Sequence, residues 1–204
     1  MDKAVEAVLK EYDARMAEEH AWWDKNPGEA FANRDNMLLP VGPETAQLMT
    51  ILVRAQRPRT LLEVGTSYGY STLWLADAAR EVGGTLHTLE LAQKKSDYAQ
   101  ERIKRAGLAE HVRFHVGDAL DLIAKLPGPF DFVLLDLWKD LYIPCFDLMR
   151  PKMAKGSFIV ADNMLQPEAV RTDAEKYRAH VRKTAGTSSV LLPVGSGIEV
   201  TRFD

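Results

Sequence analysis

Apolar positions in this chain follow two alternating rhythms. Short runs, Thr60 to Val64, Thr85 to Glu90, Val112 to Val116, Phe130 to Leu135 and Ser157 to Ala161, recur at roughly 25-residue intervals. Between them the apolar residues fall at helical spacing, as from Tyr70 to Ala79. That alternation predicts parallel strands, each returned by a crossover helix. Ahead of the first strand, Val5, Val8, Leu9, Tyr12 and Met16 are spaced for a helix over 3–20, and a second helix runs from Glu44 to about Ala55 behind Pro43. After a charged helix from about Pro167 to Lys183, the runs Ser188 to Leu192 and Ile198 to Arg202 flank the turn Pro193-Val194-Gly195-Ser196-Gly197. This spacing predicts an antiparallel closing pair. The expected fold is α/β and doubly wound, with a mostly parallel seven-stranded sheet, an antiparallel C-terminal hairpin and extra N-terminal helices. With 204 residues and no internal linker or repeat, one domain is expected, a helical layer over 1–56 on a core over 57–204.

The first strand closes on Glu63-Val64-Gly65-Thr66-Ser67-Tyr68-Gly69-Tyr70-Ser71. A strand that switches at once into a helix through glycines is where doubly wound sheets bind ligands. Gly65 and Gly69 allow close backbone approach, although tight helix-to-strand packing also asks for glycine. Ser67 stands where the dinucleotide fingerprint has its second glycine, and Tyr70 where it has its third, so a ligand without a pyrophosphate is favoured. Glu90 ends the second strand 25 residues after Gly65, where a carboxylate can accept from both hydroxyls of a ribose.

A net charge of -3 and the absence of a basic block argue against nucleic acid or an anionic membrane as the main partner. A small molecule fits better. The single cysteine, Cys145, forms no internal disulfide, and no apolar stretch of about 20 residues is present, so a cytoplasmic location is expected. Cys145 itself reads as a small buried hydrophobe.

Two later strand ends are acidic. Asp136 closes the fourth strand, and Asp162 with Asn163 closes the fifth. Three oxygen donors at neighbouring strand ends suit a hard divalent cation, magnesium first, while helix capping is the plain alternative. No thiolate or histidine stands beside them, which argues against zinc; His111 and His115 lie on or beside a predicted strand. Lys139 follows Asp136 by three residues, so one short segment can present a ligand and an amine to the same site. A partly desolvated amine there suits a general base, whereas the bland reading is a solvated lysine at a helix start.

Five segments together resemble class I S-adenosylmethionine-dependent O-methyltransferases of the catechol and caffeoyl-CoA type, from about Met37 to Phe203. They are Val41-Gly42, the glycine turn, Leu89-Glu90, Gly117-Asp118-Ala119, and Asp136-Leu137-Trp138-Lys139-Asp140-Leu141-Tyr142 paired with Ala161-Asp162-Asn163. The resemblance implies a Rossmann-like methyltransferase fold with S-adenosylmethionine as cofactor. It implies that Glu63, Gly65, Thr66 and Ser71, with Val41 above them, surround the methionine part, and that Ser67 and Gly69 also touch the cofactor; Ser71, near the helix start, is placed to bond a carboxylate. It further implies that Glu90 holds the ribose, that Asp118 and Ala119 lie by the adenine, and that Asp136 and Trp138 border the cofactor. Asp136, Asp162 and Asn163 become the ligands of a divalent cation, and Lys139 the catalytic base toward a phenolic acceptor. The family is often dimeric, so the resemblance leaves a homodimer open, while the sequence itself does not give the oligomeric state. Asp118 also suits an N-cap, and Trp138 equally suits core.

The chain departs from the catechol pattern in two places. Leu137 replaces a common histidine, and Ser188-Ser189-Val190-Leu191 lacks the glutamate that holds a second hydroxyl. Glu199 lies on the closing strand and does not take that role; Ser196 replaces a usual aspartate. Trp22, Trp23, Phe31, Met37 and Leu38 suit either a roof over an aromatic acceptor or packing. The competing functions are a metal-independent methyltransferase, a nicotinamide-dependent oxidoreductase and a non-catalytic cofactor-binding module.

Overall fold

The computed structural model describes residues 2–204; the side chain of Phe31, and with it the expectation for that residue, lies outside the described residues. The helices are α1 (Lys3–Lys25), α2 (Pro27–Ala32), α3 (Pro43–Gln56), α4 (Tyr70–Val82), α5 (Gln93–Arg105), α6 (Ala119–Lys125), α7 (Tyr142–Met149) and α8 (Arg171–Lys183). The strands are β1 (Thr60–Val64), β2 (Thr85–Glu90), β3 (Val112–Val116), β4 (Phe130–Leu135), β5 (Met153–Ala161), β6 (Thr187–Leu192) and β7 (Ile198–Phe203). They form one sheet in the order β3-β2-β1-β4-β5-β7-β6, in which β7 pairs antiparallel with both β5 and β6. The order reverses between β1 and β4, so the crevice beyond the carboxyl ends of these strands is the ligand position of such a sheet.

Successive strand residues serve opposite faces, as the pleat requires. Leu61, Leu86, Phe132, Leu134 and Val160 pack with α1, α3 and α4, while Leu62, Leu89, Val133, Leu135, Ile159 and Ala161 pack with α7 and α8. Cys145 is buried in the second layer, where burial pushes its thiol up to about 12. No helix among the described residues is long and apolar enough to cross a membrane.

The short helix α2 is an element the apolar spacing did not predict; its Pro27 suits the first helical position through its fixed φ. Three boundaries also differ from the sequence reading. α1 continues past residue 20 to Lys25 and ends where Asn26 N–H turns back to Trp22 O and Trp23 O. β5 starts at Met153, paired with Phe130 across a register shift in β4, ahead of the more continuous apolar run from Ser157. α8 starts at Arg171, after a single 3-10 turn over Glu168–Val170.

At the β3 edge, His87 and His115 stack with ring centroids 5.3 Å apart and their Nδ1 and Nε2 3.0 Å apart. One ring must donate and the other accept, so the pair is neutral on at least one side. Burial holds both below the ordinary histidine value, with mutual repulsion adding to it at His87. The unfolded chain therefore takes up protons first as the medium is acidified. The stability tied to this pair is complete above about pH 6.5 and is lost below it. Urea titrations between neutral and mildly acid pH are expected to show a shallower loss for His115→Phe than for wild type; equal slopes would rule the pair out as the cause.

Candidate active site

Gly65 leaves β1 at φ +108°, and a Cβ there would lie 1.9 Å from the Asp136 carbonyl oxygen. Only glycine permits that contact, which presses the turn against the end of β4. Ser67 also takes a positive φ, +47°, and its N–H donates to Glu90 Oε2 at 2.8 Å, while Ala92 N donates to Oε1 at 2.9 Å. Glu90 thus closes the turn from the β2 side. Each of its oxygens keeps a lone pair for a further donor such as a ribose hydroxyl.

Glu63 behaves differently from a surface ligand. It is fully buried, and its carboxylate accepts from Ser71 Oγ at 2.6 Å, Thr72 Oγ1 at 2.6 Å and Thr88 Oγ1 at 2.5 Å. Burial pushes it up to about 7, against the pull of those three hydroxyls. Toward ionised Glu63 the Ser71 hydroxyl donates its proton, so toward a ligand it presents lone pairs, which suit an ammonium better than the carboxylate expected from sequence. The carboxylate's natural partners are the unpaired amides in the first turn of α4. Thr66 packs beneath, its hydroxyl 2.5 Å from that of Thr88.

Asp118 caps α6 by accepting from Leu120 N at 2.9 Å and Asp121 N at 3.2 Å, with Ala119 behind it. Beside Glu90, Leu91 is 73% exposed, and Val116 is also exposed at the end of β3; sequence reasoning passed over both of these apolar edges. Trp138 is 53% exposed beneath the Arg34 guanidinium, 5.5 Å from its ring, so it is a rim residue and not core.

At the ends of β4 and β5 the polar groups converge. Lys139 Nζ donates to Asn163 Oδ1 at 2.8 Å, Leu137 O at 3.0 Å and Tyr142 Oη at 2.5 Å, and lies 3.5 Å from Asp136 Oδ1. Tyr142 is buried and its hydroxyl donates onward to Asp162 O at 3.1 Å. This anchor lies three residues beyond Lys139, and the sequence motif alone gives it no role. Asn163 adopts φ +57°, a conformation that asparagine tolerates well and that turns it toward Lys139. Burial lowers the Lys139 amine below its ordinary value, opposed by Asp136 and Asp162, and raises both carboxyls.

Asp162 is 1% exposed and its Oδ1 has no hydrogen-bond partner. A buried carboxylate oxygen without a donor, facing a second carboxyl that raises it further, fits a hard cation. No three His, Cys, Asp or Glu side chains gather as a metal site among the described residues; the oxygen donors brought together here are two carboxylates and the Asn163 amide. His115 pairs with His87, away from this set.

The departures from the catechol pattern have structural counterparts. Ser189 Oγ donates to Glu199 at 2.7 Å, and Arg182 grips the same fully buried carboxylate at 2.7 and 3.0 Å. Glu199 therefore braces β6, β7 and α8. Met37 and Leu38 are buried, Trp22 is exposed, and Trp23 with Met16, Glu19, His20, Met37 and Leu39 lines a cavity of about 220 Å³ beside α1.

A family model described as a methyltransferase domain matches residues 62–164. The chain is 35% identical over 132 residues to a catechol O-methyltransferase of Niastella koreensis, covering 63% of this chain and 59% of that protein's length. It is 33% identical over 150 residues to a catechol O-methyltransferase of Mycobacterium tuberculosis, covering 72% of this chain and 68% of that protein. Among solved structures it is similar to an O-methyltransferase from Bacillus cereus in complex with S-adenosylhomocysteine, with a TM-score of 0.77 and 26% identity over 100% of this chain and 92% of that one.

Proposed function

Because this chain belongs to the S-adenosylmethionine-dependent O-methyltransferases related to catechol O-methyltransferase, we propose that it methylates one of two vicinal hydroxyls on a small catechol-like or phenolic acceptor with the help of a divalent cation. The observation that carries this reading is the convergence of Lys139, Asp136 and Asn163 beside the unpartnered Asp162 oxygen, joined to the glycine turn by the Gly65 contact with Asp136.

In this reading Glu90 accepts from the ribose hydroxyls, and Leu91, Val116 and Trp138 offer apolar faces to the adenine and the acceptor. The α4 amides hold the methionine carboxylate, with the Ser71 lone pairs near its ammonium. Asp136, Asp162 and Asn163 would hold magnesium or a similar ion, which when bound supplies a Lewis acid that eases ionisation of a neighbouring phenol. Lys139 receives the phenolic proton at Nζ, and burial of the amine favours the neutral form that can accept it. Tyr142, held by Asp162 O, keeps Nζ aimed at the site. The remainder of the catalysis is alignment of the phenolate with the sulfonium methyl, provided by the rigid strand ends.

Lys139→Met is expected to lower kcat by about 10²–10⁴-fold, the range for loss of a general base, with unchanged calorimetric affinity for S-adenosylhomocysteine and no binding of NAD. Wild-type turnover in the variant would remove Lys139 from the chemistry; NAD binding would favour an oxidoreductase. One observation supports a second reading. The Lys139 ammonium already meets Asp136 and Asn163, and could serve as the site's own cation in a metal-independent methyltransferase, which a chelator would leave active.

A further inference from the structure

Helix α1 touches both sides of the crevice. On the glycine turn, Tyr12 Oη donates to Tyr68 O at 2.6 Å, and the Arg15 guanidinium lies 4.2 Å from the Tyr68 ring centroid and 5.1 Å from that of Tyr98. On the segment that joins α2 to α3, Arg15 donates to Asn36 O at 3.1 Å. Its other partner, Glu19, receives Arg15 Nε through Oε1 at 2.7 Å and Leu38 N through Oε2 at 2.7 Å.

The segment needs such ties. Leu39 has φ +41°, a left-handed conformation that a branched residue holds only when its surroundings impose it, and Leu39 is half exposed. The cavity beside α1 removes packing from Met37 and Leu39 on one side. The segment is held by the burial of Met37, Leu38 and Val41, the last two in the same apolar cluster as Tyr12, Tyr68 and Tyr70, by backbone bonds at its ends, and by the two polar ties to α1.

We propose that Arg15 and Glu19 form a positioning clamp that locks segment 36–42 over the glycine turn and thereby sets the affinity for the cofactor. The proposal rests on the cofactor reading above. Neither residue acts on the methyl group; Arg15 works through Tyr68 and Asn36, and Glu19 through Leu38.

The test compares wild type with Arg15→Met, Arg15→Lys and Glu19→Gln by calorimetry with S-adenosylhomocysteine and by amide hydrogen exchange without ligand. Arg15→Met is expected to weaken binding by about tenfold or more, the equivalent of losing one charge-assisted hydrogen bond. The KM for S-adenosylmethionine should rise with it while kcat at saturation stays unchanged. Arg15→Lys, which keeps the charge but not the stacked plane, should fall between. Exchange should quicken at Leu38 and its neighbours in Arg15→Met and Glu19→Gln, and stay slow in β1 and β4. Wild-type affinity in Arg15→Met, or unchanged exchange at Leu38, would overturn the clamp. Failure of wild type itself to bind S-adenosylhomocysteine would overturn the cofactor reading and the affinity claim with it, while exchange at Leu38 still reports the mechanical tie.

Discussion

An Asp162→Ala variant is expected to lose methyl transfer by about a thousandfold, because a Lewis-acid contact supplies several kcal/mol and each 1.4 kcal/mol is about a factor of ten. Its folding should not suffer. Asp162 Oδ1 has no hydrogen-bond partner, and burial together with Asp136 raises the carboxyl, so the ionised form is unfavourable where it stands. Removing it takes away a buried carboxyl with an unsatisfied oxygen and leaves intact the backbone N–H bond to Leu135 O and the carbonyl that Tyr142 uses. The expected pattern is therefore an unchanged or raised Tm, unchanged binding of S-adenosylhomocysteine, and that thousandfold loss of turnover. Asp162→Asn, nearly the same shape without the charge, should behave alike. A drop in Tm together with retained activity would make Asp162 a structural residue and remove it from the proposed ligand set.

The second large effect is expected at Gly65. A methyl group placed there would lie 1.9 Å from the Asp136 carbonyl oxygen, at a φ of +108° that side chains avoid. Either the turn or the end of β4 must move, and Gly65→Ala should destabilise the chain by about 3 kcal/mol or more. Because the displaced atom belongs to Asp136, cofactor affinity and turnover should fall together. Gly28→Ala serves as the control, since nothing lies within 4 Å of a Cβ at that position. Denaturant titration and calorimetry on both variants decide the matter; a Gly65→Ala chain that folds and binds like wild type would show that the contact is not required.

The parallel strands were legible because their apolar runs are buried on both faces and leave little room for another pattern; Leu61 and Leu62 already belong to opposite layers. The closing hairpin was legible from its turn. The strand-end acids were legible because a carboxylate after an apolar run lands at the edge of a sheet. The direction of a hydroxyl was not. Ser71 looked free to bond a carboxylate, and only Glu63, whose position within β1 brings it against α4, determines where that proton points. Long-range ties were equally hidden. Tyr12 reaches Tyr68 across 56 residues, and Glu19 reaches Leu38 across the short helix α2, which apolar spacing did not reveal. Trp138 was undecided in sequence because burial belongs to the assembled fold; its exposure and the Arg34 stacking put it at the rim.

Metal-assisted transfer of a methyl group to a phenolic oxygen is decided by a single incubation. The purified chain is mixed with methyl-labelled S-adenosylmethionine, magnesium and a panel of catechols, with and without a chelator, and products are identified by mass. A singly O-methylated catechol is expected, formed one-for-one with S-adenosylhomocysteine, abolished by the chelator and restored by added magnesium. Cofactor binding without any methylated catechol, or turnover that the chelator leaves untouched, would contradict it.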